Sequence, residues 1–469
     1  MPNIHLFKAA NNGYCYDVNR NAVVRLNRKS FNALRDWIND NKEINDDATI
    51  QRLISEGYIS NNYIGKIEHP MTAKAAELLA NNIHMLILQV TQNCNLRCEY
   101  CVYSGSYINR HHSNKRMSFE TARKAIDFYI QNSSQTDKLR FGFYGGEPTL
   151  EKELIEKCVD FIKLNARGKD TEFHITTNAT LLDKEKMDFF VSNGFFITIS
   201  LDGPKNIQDK NRKFANGGKG TFDVIMNKIE WLRQDYSDYL FKIHFNSVLE
   251  PEDGFSETNS FFMTDSRITG MSVAASEKND VNLKTTVVQD IDYNIARAYE
   301  RFKVIYNYFR NIEGFISPIE INYLTSIKKN IVDIMKPDEA GISITHPGGP
   351  CVPGLQRLFV NADGFLFPCE RVNEMADVLR IGDLANGIDI ARVERLLNVG
   401  KISEDSCKRC WAFRFCTACA VFAEDGDTLS QAKRLSRCDY IKNSAEAKLK
   451  DYCVLKELGV DFDSFESEG

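Results

Sequence analysis

The chain has 469 residues, 43% of them hydrophobic and 26% charged, with 59 Lys plus Arg against 64 Asp plus Glu and a formal net charge of -5. That profile excludes a disordered or collagen-like chain and offers no basic field for nucleic acid. At roughly 100 to 200 residues per domain, the length provides for two to four domains. No apolar run approaches the ~18 residues of a bilayer span. The start, MPNIHLFKAANNG, lacks the charged and apolar regions of a signal peptide. Neither a membrane nor nucleic acid is an expected partner, and the expected compartment is the cytoplasm. In that reducing setting the 13 cysteines read as metal or cluster ligands rather than disulfides, and most of them lie in clusters.

Residues 1–64 form a small unit in which IHLFKA, YCYDVN and AVVRLN read as short strands between Asn and Gly turns. Two helices follow, FNALRDWI with Ser30 as its cap and Ala48 to Glu56 ending at Gly57, so that the whole is winged-helix-like. From residue 83 strands alternate with helices. The strands are IHMLILQVT, LRFGFYGG, EFHITTN, FFITISLDG and FKIHFNSVL, with a sixth near ITGMSVAA; helices begin near Ser118, Glu151, Asp183 and Thr221. This alternation predicts an α/β domain with a parallel sheet and right-handed crossovers, a partial barrel over 83–312 whose strand C-terminal ends form one functional face. The helix at 290–311 carries Ile295, Tyr299, Phe302 and Tyr306 on one face, read as core packing. A bridging segment, 313–345, leads to a Cys-rich region, 346–440, with little helical periodicity, then to a last helix and tail, 441–469.

Cys94, Cys98 and Cys101 follow the first barrel strand with C-x3-C-x2-C spacing. Three thiolates on one loop can hold three irons of a cubane and leave the fourth iron open; a zinc site is the alternative. The second strand ends in Tyr144-Gly145-Gly146-Glu147-Pro148, where paired glycines permit a close backbone approach to a ligand. Together these motifs resemble the radical S-adenosylmethionine (SAM) superfamily, over about residues 83–310. The resemblance implies a partial (βα)6 barrel holding a 4Fe-4S cluster whose open iron binds SAM, cleaved to a 5'-deoxyadenosyl radical that abstracts hydrogen. It implies SAM contacts at Gly145, Gly146, Glu147, Thr177, Asn178, Ser200 and Asp202, with Tyr100 beside the cluster and adenine and Arg212 paired with the SAM carboxylate.

Farther on, Cys351, Gly364 and Cys369 give C-x12-G-x4-C, and Cys407, Cys410, Cys416 and Cys419 give C-x2-C-x5-C-x2-C, followed by Cys438. Zinc ribbons would use such pairs too. The pattern resembles the SPASM domain, a C-terminal extension of radical SAM enzymes that act on peptides and proteins, although x2 stands before Cys419 where x3 is commoner. The resemblance implies auxiliary cluster I on Cys351, Cys369 and Cys419, auxiliary cluster II on Cys407, Cys410, Cys416 and Cys438, and three 4Fe-4S clusters in all. In enzymes acting on sulfatases a fourth cysteine precedes the first of these; here the stretch reads THPGGP, so cluster I is expected to have an open iron filled by a substrate thiolate, with His346 the nearby protein alternative.

The first 64 residues then resemble a PqqD-like element that captures a leader peptide by strand addition along AVVRLN and FNALRDWI; the acidic EINDD disfavours a DNA-binding use. The three parts in this order resemble thioether-forming maturases of the ranthipeptide or sactipeptide type. The implied function is installing Cys sulfur-to-carbon crosslinks in a ribosomally made, Cys-rich precursor peptide, with a flavodoxin- or ferredoxin-like protein as reductant. Carbon-carbon crosslinking and formylglycine formation share every motif, and a zinc-bound peptide-binding scaffold is the non-enzyme alternative. His111 and His112 read as a solvated loop near the site mouth, the glycines at 217–220 as a turn capping a helix at Thr221, and Cys15, Cys158 and Cys453 as small buried hydrophobes.

Overall fold

The structure, a computed structural model, describes all residues except 1, 41–46, 62–63, 104–106, 108–111, 167, 279, 285–289, 311–315, 336–343, 349 and 466–469. His111, most of EINDD, parts of the bridging segment and the end of the tail lie outside the described residues. The chain divides into two compact units, residues 1–73 with 323–351 and 394–469, and residues 74–322 with 352–393.

In the first unit, β1 (Ile4–Ala9), β2 (Asn12–Asp17) and β3 (Ala22–Leu26) form an antiparallel sheet in that order. Cys15 stands opposite both Leu6 and Val24. Helices α1 (Arg28–Asp40) and α2 (Ala48–Ser55) pack on the sheet, because Phe31 and Leu34 on one and Ile50 and Leu53 on the other recur at helical spacing and meet Cys15 and Leu26. Ser30 is not the cap of α1. Asn27 takes that role, its side chain accepting from the Ser30 amide at 2.9 Å, while Ser30 Oγ donates to Asp47. Asp47 in turn caps α2 through the amides of Thr49 and Ile50. Among the described residues β3 pairs only with β2, so its outer edge is free.

The second unit is built on parallel strands β4 (Met85–Thr91), β6 (Lys138–Gly145), β7 (Asp170–Thr177), β8 (Phe196–Ser200), β10 (Ile243–Leu249) and β11 (Val273–Glu277), which neighbour each other in that sequence. A short ribbon of β5 (Leu96–Cys98) with β9 (Arg212–Phe214) stands apart from them. The crossovers carry α3 (Phe119–Gln131), α4 (Lys152–Asn165), α5 (Lys184–Ser192), α6 (Lys205–Asn211), α7 (Phe222–Asp235) and α8 (Phe255–Thr264). The six parallel strands are those expected from the alternation, as are α3, α4, α5 and α7; α6 and α8 are not, α8 standing in the polar, Ser/Asn-rich stretch 251–290 that reads in sequence as a loop insertion. Helices α3 and α5 begin beside Ser118 and Asp183 as expected, and those side chains cap them, but Thr221 does not cap α7 with its side chain: Asp209 accepts from the Phe222 amide at 2.8 Å instead.

The sheet continues past β4 through β12 (Leu358–Val360), parallel to it, then β13 (Phe365–Phe367), β14 (Gly382–Asp383) and β15 (Gly387–Ile388). Part of the Cys-rich region is therefore ordinary sheet. Its signal is LFV-NADG-FLF, two apolar runs around a turn-forming stretch.

Helix α9 (Ile291–Arg310) departs from expectation. It buries Tyr293, Glu300 and Val304, whereas Ile295, Tyr299, Phe302 and Tyr306 are 45 to 60% exposed. The periodicity identified an apolar face, but the opposite face meets Phe255 and Leu249 through Tyr293. The first unit closes with α10 (Cys438–Glu457), to which β1 and β2 are tied by His5–Glu446 at 2.9 Å and by Tyr14 donating to Glu457 at 2.5 Å. Among the described residues no helix is long and apolar enough to cross a membrane.

Candidate metal and cofactor centre

Cys94 sits three residues beyond β4, and the loop it opens runs directly into the β5–β9 ribbon, where Cys98 stands opposite Arg212. The Cys101 amide donates to the Cys98 carbonyl at 3.1 Å, closing a tight turn. Cys94 Sγ accepts from the Leu96 amide at 3.3 Å and from Asn178 Nδ2 at 3.9 Å. The three thiols lie within range of one another's charge, and burial pushes those of Cys94 and Cys98 up to about 12. Iron coordination would deprotonate them where water does not. Among the described residues no three His, Cys, Asp or Glu side chains converge as one ion demands. A cubane takes one thiolate per iron and needs no such convergence.

The glycine pair has a packing reason of its own. A Cβ on Gly145, whose φ is 138°, would lie 2.0 Å from the Thr91 carbonyl oxygen, and one on Gly146 would lie 2.1 Å from that of Asn93. The amides of Gly146 and Glu147 donate to those same carbonyls at 2.8 and 2.9 Å. Only glycine lets the end of β6 lock onto the chain leading to Cys94. Glu147, 1% exposed, accepts from Thr149 Oγ1 and its amide, from Thr177 Oγ1 at 2.7 Å and from the Asn178 amide at 2.8 Å. Burial pushes its carboxyl up, and these donors pull it back. With four protein donors on its two oxygens, Glu147 holds the end of β7. Asn178, so held, donates to Asn95 at 2.9 Å as well as to Cys94.

Arg212 has a partner within the protein: its Nε and Nη2 donate to Asp202 at 2.8 and 3.0 Å, a bidentate pair with both side chains buried. Tyr100 donates its hydroxyl to the same carboxylate and lies under the guanidinium, 5.3 Å from the ring centre. Asp202 thereby ties the cysteine loop to the ends of β8 and β10, the latter through the Val248 amide at 3.1 Å. Ser200, buried, ends β8. Beside Arg212 the side chain of Asn211, 1% exposed, has no partner for either its oxygen or its nitrogen among the described residues. A buried, unpaired amide next to the cysteine ribbon is a polar group awaiting a ligand, which fits a cofactor seated there.

Sequence reasoning missed a second polar cluster. Gln89, fully buried within MLILQVT, donates to Tyr103 at 2.7 Å and Glu374 at 2.7 Å and accepts from the Ala362 amide at 3.1 Å. A glutamine inside an apolar strand was the available signal. His112 is half-buried, not solvated. Burial lowers its pKa to about 4.

In the first unit Cys407, Cys410, Cys416 and Cys438 lie within range of one another's charge, as do Cys351 and Cys419; Cys369 belongs to the second unit. Arg434, 1% exposed, donates to Cys407 Sγ at 3.4 Å while its Nε and Nη2 are buried with no partner among the described residues, a donor set that fits an anionic cluster at these thiols. His346 is fully engaged: Nδ1 bonds the Pro347 carbonyl at 2.7 Å and Nε2 accepts from the Gly400 amide at 3.0 Å. Cys15, Cys158 and Cys453 are buried at 0 to 4% exposure, as small hydrophobes are.

Residues 88–252 match the family model described as Radical SAM superfamily. A cysteine-type anaerobic sulfatase-maturating enzyme of Clostridium novyi is 36% identical over 34% of this chain and 42% of its own. The radical SAM cyclopropyl synthase TigE of Paramaledivibacter caminithermalis is 26% identical over 54% of this chain and 55% of its own. The chain spans 40 to 48% of the length of the first three curated relatives it matches. In fold it is similar to anSMEcpe with bound AdoMet and Kp18Cys peptide, with a TM-score of 0.55 and 19% identity over 77% of this chain and 99% of that one.

Proposed function

Taking residues 88–252 as a radical SAM domain, with SAM and a 4Fe-4S cluster as its cofactors, we propose that the chain installs thioether links in a Cys-rich precursor peptide. Cys94, Cys98 and Cys101 would hold the SAM cluster, with Gly145, Gly146, Thr177, Asn178 and Ser200 shaping the SAM site. When bound, these cofactors supply a hydrogen-abstracting deoxyadenosyl radical. The protein's part is to position and to exclude water. Glu147 fixes Thr177 and Asn178, Asn178 donates to Cys94 Sγ, and the Asp202–Arg212 pair holds Tyr100 and the cysteine ribbon rigid.

The observation that most supports sulfur chemistry is His346. Cys351 and Cys419 would each offer a thiolate to auxiliary cluster I, and His346, five residues before Cys351, has both nitrogens committed to backbone groups. A peptide thiolate is then the natural fourth ligand, deprotonated and positioned by the metal. Cys407, Cys410, Cys416 and Cys438 would hold auxiliary cluster II, a one-electron redox group, and a flavodoxin- or ferredoxin-like partner would serve as reductant. The free edge of β3 beside α1 suits leader capture by strand addition.

Similarity to the Clostridium novyi maturase and to TigE favours a second reading, another peptide or protein modification such as formylglycine formation or carbon-carbon linkage. Anaerobic incubation of the reconstituted enzyme with SAM, reductant and a Cys-rich peptide, followed by thiol alkylation and mass spectrometry, separates the two. Thioether formation removes two hydrogens and one alkylatable thiol per link. A product that loses hydrogens and keeps every thiol, or none at all, overturns the thioether reading.

A further inference from the structure

Arg434 lies on the short helix Gln431–Leu435 and is 1% exposed, the largest fully buried side chain described. Its Nη1 donates to Ser403 Oγ at 3.0 Å and to Cys407 Sγ at 3.4 Å; Nε and Nη2 are buried with no acceptor among the described residues, and no carboxylate pairs with it. An unpaired guanidinium in the interior is costly and persists only opposite an anion. Among the described residues no side chain supplies such an anion by ion pairing or hydrogen bonding; the groups that feel its charge include His346, a neutral ring whose pKa burial holds at about 4, and the thiols of Cys416 and Cys438.

We infer that Arg434 is the built-in counter-cation of the cluster on Cys407, Cys410, Cys416 and Cys438 and that, with Ser403, it sets that cluster's reduction potential; the inference rests on the reading that these thiols hold a cubane. A cubane held by four thiolates is a dianion when oxidised and a trianion when reduced, so a fixed buried cation favours the reduced form and raises the potential. Ser403 extends the effect. Guanidinium has donors only, so Ser403 Oγ accepts from Arg434; with Cys407 ligated as a thiolate, the Ser403 hydroxyl turns its hydrogen from the Gly400 carbonyl at 3.5 Å to Cys407 Sγ at 3.3 Å. Two donors thus converge on one ligand sulfur. Lys442 is the other cation felt by Cys410, Cys416's neighbour, and by Cys438, and as a half-buried flexible amine it is no substitute for the interior charge. Arg434 is a positioning and tuning residue here, remote from any reacting atom of substrate.

The test uses the full chain, reconstituted anaerobically with iron and sulfide, in a background with Cys94, Cys98 and Cys101 changed to Ala so that the SAM cluster is silent. Iron content and EPR-monitored potentiometric titration are compared for Arg434, Arg434→Lys and Arg434→Met. The expected result is unchanged iron in all three, with the Met variant's midpoint displaced to lower potential: at least a tenfold fall in the reduced-to-oxidised ratio at fixed potential, about 59 mV for one electron. Lys should recover much of it. An unmoved midpoint in a Met variant with full iron overturns the inference. If the Met variant loses its cluster, Ser403→Ala decides, since a shift in the same direction is expected and no shift overturns. Should Cys407→Ala with Cys416→Ala lose no iron, it is the cluster reading itself that fails.

Discussion

Gly146 illustrates how one position can carry both packing and site geometry. Its missing Cβ is what permits the Asn93 carbonyl to sit against the end of β6, so Gly146→Ala should destabilise the fold by about 1–3 kcal/mol, as overpacking does. A lowered denaturant midpoint checks this; an unchanged one would show the loop can yield. His346 gives a pH signature. Burial holds its folded pKa at about 4 against an ordinary 6.5, so it stays neutral in the folded protein while the unfolded chain takes up a proton. Its contribution is present above pH 6.5 and is lost as pH falls toward 4, up to about 3 kcal/mol, since a depressed pKa means the unfolded state binds more protons in that window. Urea titrations between those pH values should show that slope, and His346→Gln should flatten it. At this scale the C-x3-C-x2-C spacing and the GGE motif stand out in the sequence because their members sit within a few residues of each other. The partners of Arg212, Glu147 and Arg434 were not, because each is chosen by packing between segments distant in sequence.

Elements were read most securely where one period dominates. Strands β4, β6, β7, β8 and β10 are apolar runs between turn residues, and Ser118 and Asp183 announce α3 and α5 one residue early. Helix α9 shows the limit of periodicity, which identifies a stripe without saying which side another element covers. Its two faces make opposite predictions. Tyr293→Ala, at 2% exposure, should cost about 3–5 kcal/mol as a large core truncation. Phe302→Ala, at 55% exposure, should stay within about 0.5 kcal/mol. Denaturant melts of the two variants check the assignment, and equal losses would return the aromatic stripe to the core. The β5–β9 ribbon was illegible for a different reason: three-residue strands carry no period, and Cys98 meets Arg212 only after strands β6, β7 and β8 and the helices between them have intervened.

At the scale of the whole molecule, the alternating strands and helices gave the α/β architecture, and the chain's division into units did not follow the sequence boundaries. Residues 352–393 extend the parallel sheet, whereas 394–469 join the first 73 residues. Composition changes at residue 346 mark where cysteines cluster, and sheet pairing ignores them. The account of function rests on clusters held in both units. Iron and acid-labile sulfide, measured with absorption spectra on anaerobically reconstituted protein and on the variant with Cys94, Cys98 and Cys101 changed to Ala, test it most directly. The account predicts about twelve irons per chain, falling by about four in the variant. Zinc in place of iron, or an iron content the variant leaves unchanged, would contradict it and leave a peptide-binding scaffold.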